Sequence, residues 1–233
     1  MKLRVLTHNV FIHANAKPAA LRRHARSLLA VLRERDVAIA CLQEVPRRFA
    51  SIVARESPAH VVVVRPGPWP EEALVALLRR DVVKRHRDVE LRGADHGGQL
   101  AVLDLCLRDA PGPLRLVHAH LDFYSRDRRV RAADAIVALV ASAPQRAMLA
   151  CGDFNEAPAP DAIHGRLEAH GLRDAWQIDG APTRARRGTF HSFQGLSGDG
   201  VHIDWVLADA RLKPRSCELV DDARFAFSDH VPV

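Results

Sequence analysis

Short apolar runs alternate with segments of helical spacing along most of this sequence. The runs predict strands at KLRVLTHNV, VAIACLQEV, HVVVV, QLAVLDLCL, LRLVHAHLD, RAMLACGDF, GTFHSF and VHIDWVLAD. Apolar residues at helical spacing predict helices over residues 18–35, 127–142 and 159–170, the last of them ended by Gly171. The segment EALVALLRRDVV fits a helix by residue type and a strand by its apolar run. This alternation predicts an α/β fold with parallel and antiparallel strand pairs.

Length and composition favour a single domain over residues 1–233. With 233 residues, 48% of them hydrophobic, the chain is long enough to bury a large core. No run approaches the ~18 apolar residues of a membrane span, and no signal-peptide core follows the start. We therefore expect a cytoplasmic protein without a membrane span. The four cysteines are far apart, which argues against a zinc site or a disulfide framework.

The charge of the chain admits a polyanionic partner without identifying one. The formal net charge is +6, which is compatible with nucleic acid or an anionic lipid surface. Only four of the 34 basic residues are Lys, however, and the many Arg residues are scattered rather than gathered in one block. Such an Arg-rich composition also arises from codon bias. Nothing in the sequence indicates a protein partner.

Polar side chains stand at the ends of most predicted strands, where a core needs none. Each has an alternative interpretation, since Asn9 fits an ordinary turn as well as a site, and a lone buried His is commonly a core residue. Asp204 is harder to explain, because an unpaired charge inside an apolar strand costs several kcal/mol. These residues are Asn9, Glu44, His120, Asp153, Asn155, Asp204, Asp229 and His230.

This set contains the residue types that phosphate ester hydrolysis requires. An Asp can hold a His imidazole in one tautomer and stabilise its charged form. A Glu with a few other oxygen ligands suits Mg²⁺ rather than Zn²⁺. Asp153 can orient a water while Asn155 donates its amide N–H to a phosphate oxygen. On an extended segment these two side chains, two residues apart, are expected to point the same way.

The ordered motifs LTHNV, CLQE, HAHLD, CGDFN, GTFH, HIDWVL and SDH resemble the endonuclease/exonuclease/phosphatase superfamily, the group of deoxyribonuclease I and exonuclease III. The resemblance covers residues 3–230. It implies a four-layer α/β sandwich, in which two mixed β-sheets pack face to face with helices on the outer faces and the active site lies at one rim. It also implies Mg²⁺- or Mn²⁺-dependent hydrolysis of phosphate esters.

The resemblance assigns the metal and leaving-group sides of the site by motif. It implies that Glu44 is the principal metal ligand, that Asn9 lies beside it, and that Asp229 is a second acidic group near the metal. It makes His120 a phosphate contact or the proton donor to the leaving group. His118 is the rival for that role, and we favour His120 because it occupies the motif position.

The remaining assignments concern the attacking water and the phosphate. The resemblance implies that Asp153 aligns or deprotonates the water, with Asn155 beside it. It implies that His230 contacts the scissile phosphate and that Asp204 orients this histidine. The set is complete, which favours an enzyme over a catalytically silent module of the same fold that only binds polyanions.

Departures from the family pattern leave the substrate open. Phe11 stands where many members have a small or acidic residue, AHL replaces THL, and we expect a short or truncated closing strand after His230. The rim candidates Tyr124 and Arg126 are expected to be ordinary loop residues. A phosphodiester of nucleic acid, a lipid or a small molecule is the favoured substrate, and the phosphomonoester of a small metabolite or phosphoinositide is the alternative.

Overall fold

The computed structural model describes residues 2–12, 16–67, 72–91, 98–177, 188–194 and 200–233. Its strands are β1 (Val5–Asn9), β2 (Ile39–Gln43), β3 (His60–Pro66), β4 (Ala73–Arg79), β5 (Val83–Asp88), β6 (Gly98–Leu107), β7 (Leu114–Leu121), β8 (Ala147–Asp153), β9 (Arg173–Asp174) and β10 (Asp204–Ala208). Its helices are α1 (Pro18–Glu34), α2 (Arg47–Glu56), α3 (Arg126–Ser142) and α4 (Ile163–Ala169), and short 3-10 turns cover Ala175–Gln177 and Ala223–Phe225.

The strands form two mixed sheets. The first sheet has the order β1-β2-β4-β3, with β1 and β2 parallel and the other pairs antiparallel. The second has the order β5-β6-β7-β8-β10-β9, in which only β7 and β8 are parallel. The predicted α/β fold with parallel and antiparallel strand pairs is confirmed.

Three hydrophobic layers hold the sheets and helices together. One lies between the first sheet and α1 and α2, and includes Leu21, Leu28 and Phe49. A second lies between the other sheet and α3 and α4. The third lies between the two sheets, where Cys41 of β2 and Cys151 of β8 are both fully buried. The order helix, sheet, sheet, helix is the predicted four-layer sandwich, which explains why β2 and β8 are apolar on both faces.

Some local predictions differ from the observed elements. The ambiguous segment EALVALLRRDVV forms β4 and the start of β5, and α2 and β5 were not predicted. The segment GTFHSF is not a strand: only Phe190 makes isolated bridges, to Val201 and to His230. No helix in the described residues is long and apolar enough to cross a membrane.

The last residues of the sequence lie beside β1. The N–H of Thr7 donates to the carbonyl oxygen of Val233 at 2.9 Å, and the N–H of Val233 donates back at 3.0 Å. Val231 is tied to Thr189 by a backbone hydrogen bond of 2.7 Å. These contacts join the segment that carries His230 to β1 and to Thr189.

Candidate active site

The predicted site residues meet at one rim of the sandwich because strand ends converge there. Asn9 is the last residue of β1, and Glu44 directly follows β2, its parallel neighbour. In the second sheet, Asp153 at the end of β8 lies between His120 of β7 and Asp204 of β10 in the strand register. The polar strand ends of the sequence thus lie on both sheets at the same edge.

Asn9 joins the two sheets at this rim. Its side-chain amide donates to Glu44 Oε1 at 2.9 Å and to Asp153 Oδ2 at 3.0 Å. Its Oδ1 accepts a hydrogen bond of 3.1 Å from the backbone N–H of Phe11. Because both amide hydrogens and the carbonyl oxygen are used, the orientation of Asn9 is fixed, and it holds two carboxylates close together.

Asp204 and His230 form a buried pair. His230 Nδ1 lies 2.8 Å from Asp204 Oδ2, and both residues are almost fully buried. The backbone N–H of Asp204 donates to Thr189 Oγ1 at 3.0 Å, and that of His230 donates to Ser228 Oγ at 3.0 Å. Ser228 in turn donates to the carbonyl oxygen of Asn9 at 2.6 Å. The pair is therefore positioned by side chains from both neighbouring segments.

The Asp204 carboxylate keeps His230 charged. Burial works against the charged imidazolium, but the charge and hydrogen bond of Asp204 outweigh it and raise the pKa of His230 to about 10. Burial likewise works against the Asp204 carboxylate, yet the His230 cation holds the pKa of Asp204 below its usual value. His230 is thus a cation at neutral pH whose Nε2–H faces the rest of the site.

Asp153 lies at the centre of the site. Its Oδ2 is 3.7 Å from His230 Nε2 and 3.9 Å from His120 Nε2. Burial, and then the nearby Asp204 carboxylate, raise the pKa of Asp153 to about 7, against the opposing charge of His230. A carboxylate that exchanges its proton near neutral pH is suited to act as a general base.

Glu44, His120 and Asp229 surround this centre. Glu44 Oε1 lies 3.6 Å from His120 Nε2, and Glu44 has a left-handed φ of 52°, which is uncommon outside glycine. Burial raises the pKa of Glu44 and lowers the pKa of His120. Asp229 Oδ1 is 4.0 Å from His230 Nε2 and has no hydrogen-bond partner among the described residues. All eight sequence-predicted site residues are therefore at or beside the rim.

Asn155 differs from the expectation in conformation. The strand ends at Asp153, and Asn155 has a φ of 52°, so the segment is not extended and strand alternation does not orient its side chain. Its side-chain amide donates to the carbonyl oxygen of Leu121 at 2.8 Å, and its backbone N–H donates to Asp153 Oδ1 at 2.8 Å. Asn155 thus ties Asp153 to the end of β7.

The sequence matches one protein family over nearly its whole length. The profile of the Endonuclease/Exonuclease/phosphatase family covers residues 6–230. The chain belongs to this family. None of the curated proteins matches it by sequence.

Solved structures show the same fold at low identity. An endonuclease/exonuclease/phosphatase family protein of Bacteroides thetaiotaomicron is 17% identical, with a TM-score of 0.79 over 99% of this chain and 95% of that one. The mannosyl-6-phosphatase Bt3783 of the same organism is 18% identical, with a TM-score of 0.78 over 99% and 97%. TDP2 of D. rerio, complexed with a single-strand DNA product, is 17% identical, with a TM-score of 0.73 over 99% and 96%.

The donor set of this family member fits a hard divalent cation. The ligand atoms of Asp153, Asp204 and His230 lie within 4.8 Å of one another. The charge of Asp204 is already balanced by His230, however, although Asp204 Oδ1 has no hydrogen-bond partner among the described residues, and a charged imidazolium has no lone pair for a metal. The oxygens of Glu44 and Asp229 are the better donors. Burial raises the pKa of Glu44, so a nearby cation would stabilise its carboxylate, and the buried Oδ1 of Asp229 has no hydrogen-bond partner among the described residues. Carboxylate oxygens suit Mg²⁺ or Mn²⁺.

The sequence did not predict the two residues whose hydroxyl groups bind the backbone of Asp204 and His230. Thr189 and Ser228 lie in the motifs GTFH and SDH, yet small hydroxyl residues carry no signal of their own. The rival histidine, His118, is fully buried between the sheets, with its Nε2 2.7 Å from Gln43 Nε2. Burial lowers the pKa of His118 to about 3, so His118 is neutral at neutral pH. It lies two residues before His120 on β7, farther from the rim.

Proposed function

We propose that this protein is a metal-dependent hydrolase of phosphate esters, and that its preferred substrate is a phosphodiester. The observation that carries the proposal is the position of Asp153, which contacts Asn9 and His230 and has a pKa raised to about 7. A general base, a fixed cation and a group of oxygen donors at one rim are the parts that water attack on phosphorus needs.

The roles of the residues follow from their contacts. Asp153 accepts a proton from the attacking water while a new O–P bond forms and the ester P–O bond breaks. The His230 cation donates Nε2–H to a phosphate oxygen and stabilises the negative charge that develops there. Asp204 keeps His230 charged, and Asn9 keeps the carboxylates of Glu44 and Asp153 in place.

The leaving-group side is assigned to His120. Burial lowers its pKa, so at neutral pH it acts as a neutral hydrogen-bond donor to the leaving oxygen, and bulk water supplies the proton. Glu44 and Asp229 would hold Mg²⁺ or Mn²⁺. When bound, the cation supplies positive charge for the phosphate oxygens.

Charge balance favours a diester over a monoester. His230 is the cation of the site, and none of the described contacts of the site residues involves a Lys or Arg side chain. The site also holds four carboxylates: those of Asp153, Asp204 and Asp229 lie within 4.0 Å of the His230 ring, and that of Glu44 lies 3.6 Å from His120. When ionised, these four carboxylates outweigh the charges of His230 and a bound divalent cation together. A diester carries one negative charge and a monoester about two at neutral pH, so the diester meets less repulsion. The mannosyl-6-phosphatase likeness, at 18% identity, concerns the fold.

The test compares bis(p-nitrophenyl) phosphate with p-nitrophenyl phosphate, in Mg²⁺, Mn²⁺ and EDTA. We expect metal-dependent turnover, faster on the diester, that falls about 10²- to 10⁴-fold in Asp153→Asn because the general base is lost. The control is Asp109→Asn, an exposed acid in the turn between β6 and β7, at the opposite end of β7 from His120. Equal rates for the two variants, or no turnover of either ester by the wild type, would contradict the proposal.

A further inference from the structure

Exposed aromatic rings lie next to the catalytic rim. Five large hydrophobic side chains are exposed in the described part of the chain, and three of them are aromatic: Phe123 at 65%, Tyr124 at 92% and Phe193 at 55%. Phe123 and Tyr124 follow His120 by three and four residues. Exposure of apolar rings to water is unfavourable, so several exposed rings next to the catalytic rim indicate a binding surface.

The loop that carries Phe123 and Tyr124 is held in one conformation. Asp122 Oδ1 accepts hydrogen bonds from the backbone N–H groups of Tyr124 at 2.9 Å and Ser125 at 2.7 Å. Arg129 donates to the carbonyl oxygens of Asp122 at 2.9 Å and Phe123 at 3.3 Å. The two rings stand at 87° to each other with centroids 5.1 Å apart. The loop therefore holds these rings in their exposed positions, and binding of a ligand needs little further ordering of the loop.

A second aromatic pair lies on the other side of the site. The rings of Phe193 and Phe11 are 5.6 Å apart, and Phe11 is the residue whose N–H binds the Asn9 side chain. Phe193, Ser192 and Phe11 all have left-handed φ values, of 60°, 48° and 35°. Such values are unfavourable for bulky residues and persist where the surroundings impose them, often at functional sites.

The two pairs flank the reacting centre. Strands β7, β8 and β10 are consecutive in the sheet, and the Phe123–Tyr124 pair continues β7. Phe193 belongs to residues 188–194, where Phe190 bridges to Val201, three residues before β10, and to His230, and packs its ring 5.0 Å from the imidazole. Asp153 ends the middle strand. Two strand spacings of about 4.8 Å separate β7 from β10, so a ligand that spans both pairs crosses the site.

We propose that these two aromatic pairs bind the bases on either side of the scissile phosphodiester in a single-stranded nucleic acid. The inference rests on the proposed phosphodiesterase function, and it names the substrate class. Stacking of a base on an exposed ring requires a free π face, which the bases of an unpaired strand have and the bases inside a duplex lack. The net charge of +6 is compatible with such a polyanion.

The test measures kcat/KM on a mixed-sequence single-stranded oligonucleotide, as DNA and as RNA, and on the same backbone with abasic tetrahydrofuran residues. We expect the ratio of intact to abasic strand to fall about 5- to 100-fold in the double variant Phe123→Ala, Tyr124→Ala, and also in Phe193→Ala. The control is Val64→Ala, an exposed apolar residue of β3. The duplex form is expected to be the poorer substrate.

The outcomes separate this inference from the proposed function. Turnover of bis(p-nitrophenyl) phosphate with an unchanged intact-to-abasic ratio in all ring variants, or a preference for duplex, overturns the inference alone. If the wild type shows no metal-dependent turnover of any of these substrates, the proposed function is overturned. In that case the anisotropy of a fluorescent single strand bound to Asp153→Asn, with and without the ring substitutions, still decides whether the rings bind bases.

Discussion

At the scale of single residues, the site depends on charges that the fold keeps in unusual states. His230 has a pKa raised to about 10 by Asp204, against its burial, while burial and Asp204 raise the pKa of Asp153 to about 7. In both cases the folded state holds a proton that the unfolded chain releases at lower pH. In the metal-free protein, the contribution of Asp153 to stability is therefore lost as pH rises from its unfolded pKa of 3.8 to about 7, and that of His230 is lost as pH rises from 6.5 to about 10.

The Asp204→Asn substitution tests this electrostatic arrangement. It removes the charge that stabilises the imidazolium while burial remains, so the pKa of His230 should fall far below about 10 in an NMR titration of the EDTA-treated protein. In the wild type, the contribution of His230 to stability is full below its unfolded pKa of 6.5 and is lost as pH rises towards about 10. Urea unfolding should show that loss in the wild type and in Asp109→Asn, and not in Asp204→Asn. A His230 pKa unchanged in Asp204→Asn would refute this electrostatic role.

Glu44→Gln tests the proposed metal ligand. Calorimetric titration should show Mg²⁺ and Mn²⁺ affinity lowered by about 10-fold or more, because the charged oxygen donor is lost while the shape of the side chain is kept. Glu218→Gln serves as the control, since Glu218 is 71% exposed and pairs with Arg35 at the end of α1. Equal metal affinity in the two variants would remove Glu44 from the metal site.

At the scale of elements, the site depends on how closely β8 approaches β7. Gly152 precedes Asp153, has a φ of 146°, and lies opposite Ala119 in the parallel ladder. A Cβ at this position would collide with the backbone carbonyl of Ala119. The glycine therefore permits the strand spacing that brings Asp153 beside His120.

Gly152→Ala should be strongly destabilising for this reason. We expect the free energy of unfolding to fall by about 2 kcal/mol or more, and Tm by about 5 °C or more. Gly112→Ala is the matched control, because nothing lies within 4 Å of a Cβ placed there. Equal melting temperatures for the two variants in differential scanning calorimetry would show that the β7–β8 approach is not tight.

Strands and helices differ in how far the sequence predicts them. Strands β2 and β8 are predictable because burial on both faces requires continuous apolar runs. Strand β5 is not, since VKRHRD is an exposed edge strand whose register comes from pairing with β6. Helix α2 has its apolar residues at helical spacing but is only 10 residues long, and its sequence has no N-terminal cap. Short elements of this kind are set by their neighbours in the fold.

The sequence predicts which polar residues lie at the candidate site, but it does not predict the contacts between them. Polar side chains at strand ends identify Glu44 and Asp153, because neither a core nor a turn requires them there. That Asn9 binds both of these carboxylates depends on how the two sheets pack, which no local pattern records. The left-handed φ of Asn155 likewise depends on tertiary structure. So do the hydrogen bonds that the hydroxyl groups of Thr189 and Ser228 accept from the backbone of Asp204 and His230.

At the scale of the whole molecule, the candidate site belongs to neither sheet alone. The first sheet supplies Asn9 and Glu44, and the second supplies His120, Asp153 and Asp204. His230 is held between them by the segment that ends beside β1. The site is therefore complete only when the sandwich is assembled, and the chemistry proposed for it is attack of water on phosphorus.

Hydrolysis of a phosphodiester in H₂¹⁸O is the decisive test of water attack on phosphorus. We predict one ¹⁸O atom in the phosphate-containing product, formed by the wild type and by Asp109→Asn only when Mg²⁺ or Mn²⁺ is present. Asp153→Asn should form this product about 10²- to 10⁴-fold more slowly. Label in the alcohol product, or equal rates for the two variants, would contradict this mechanism.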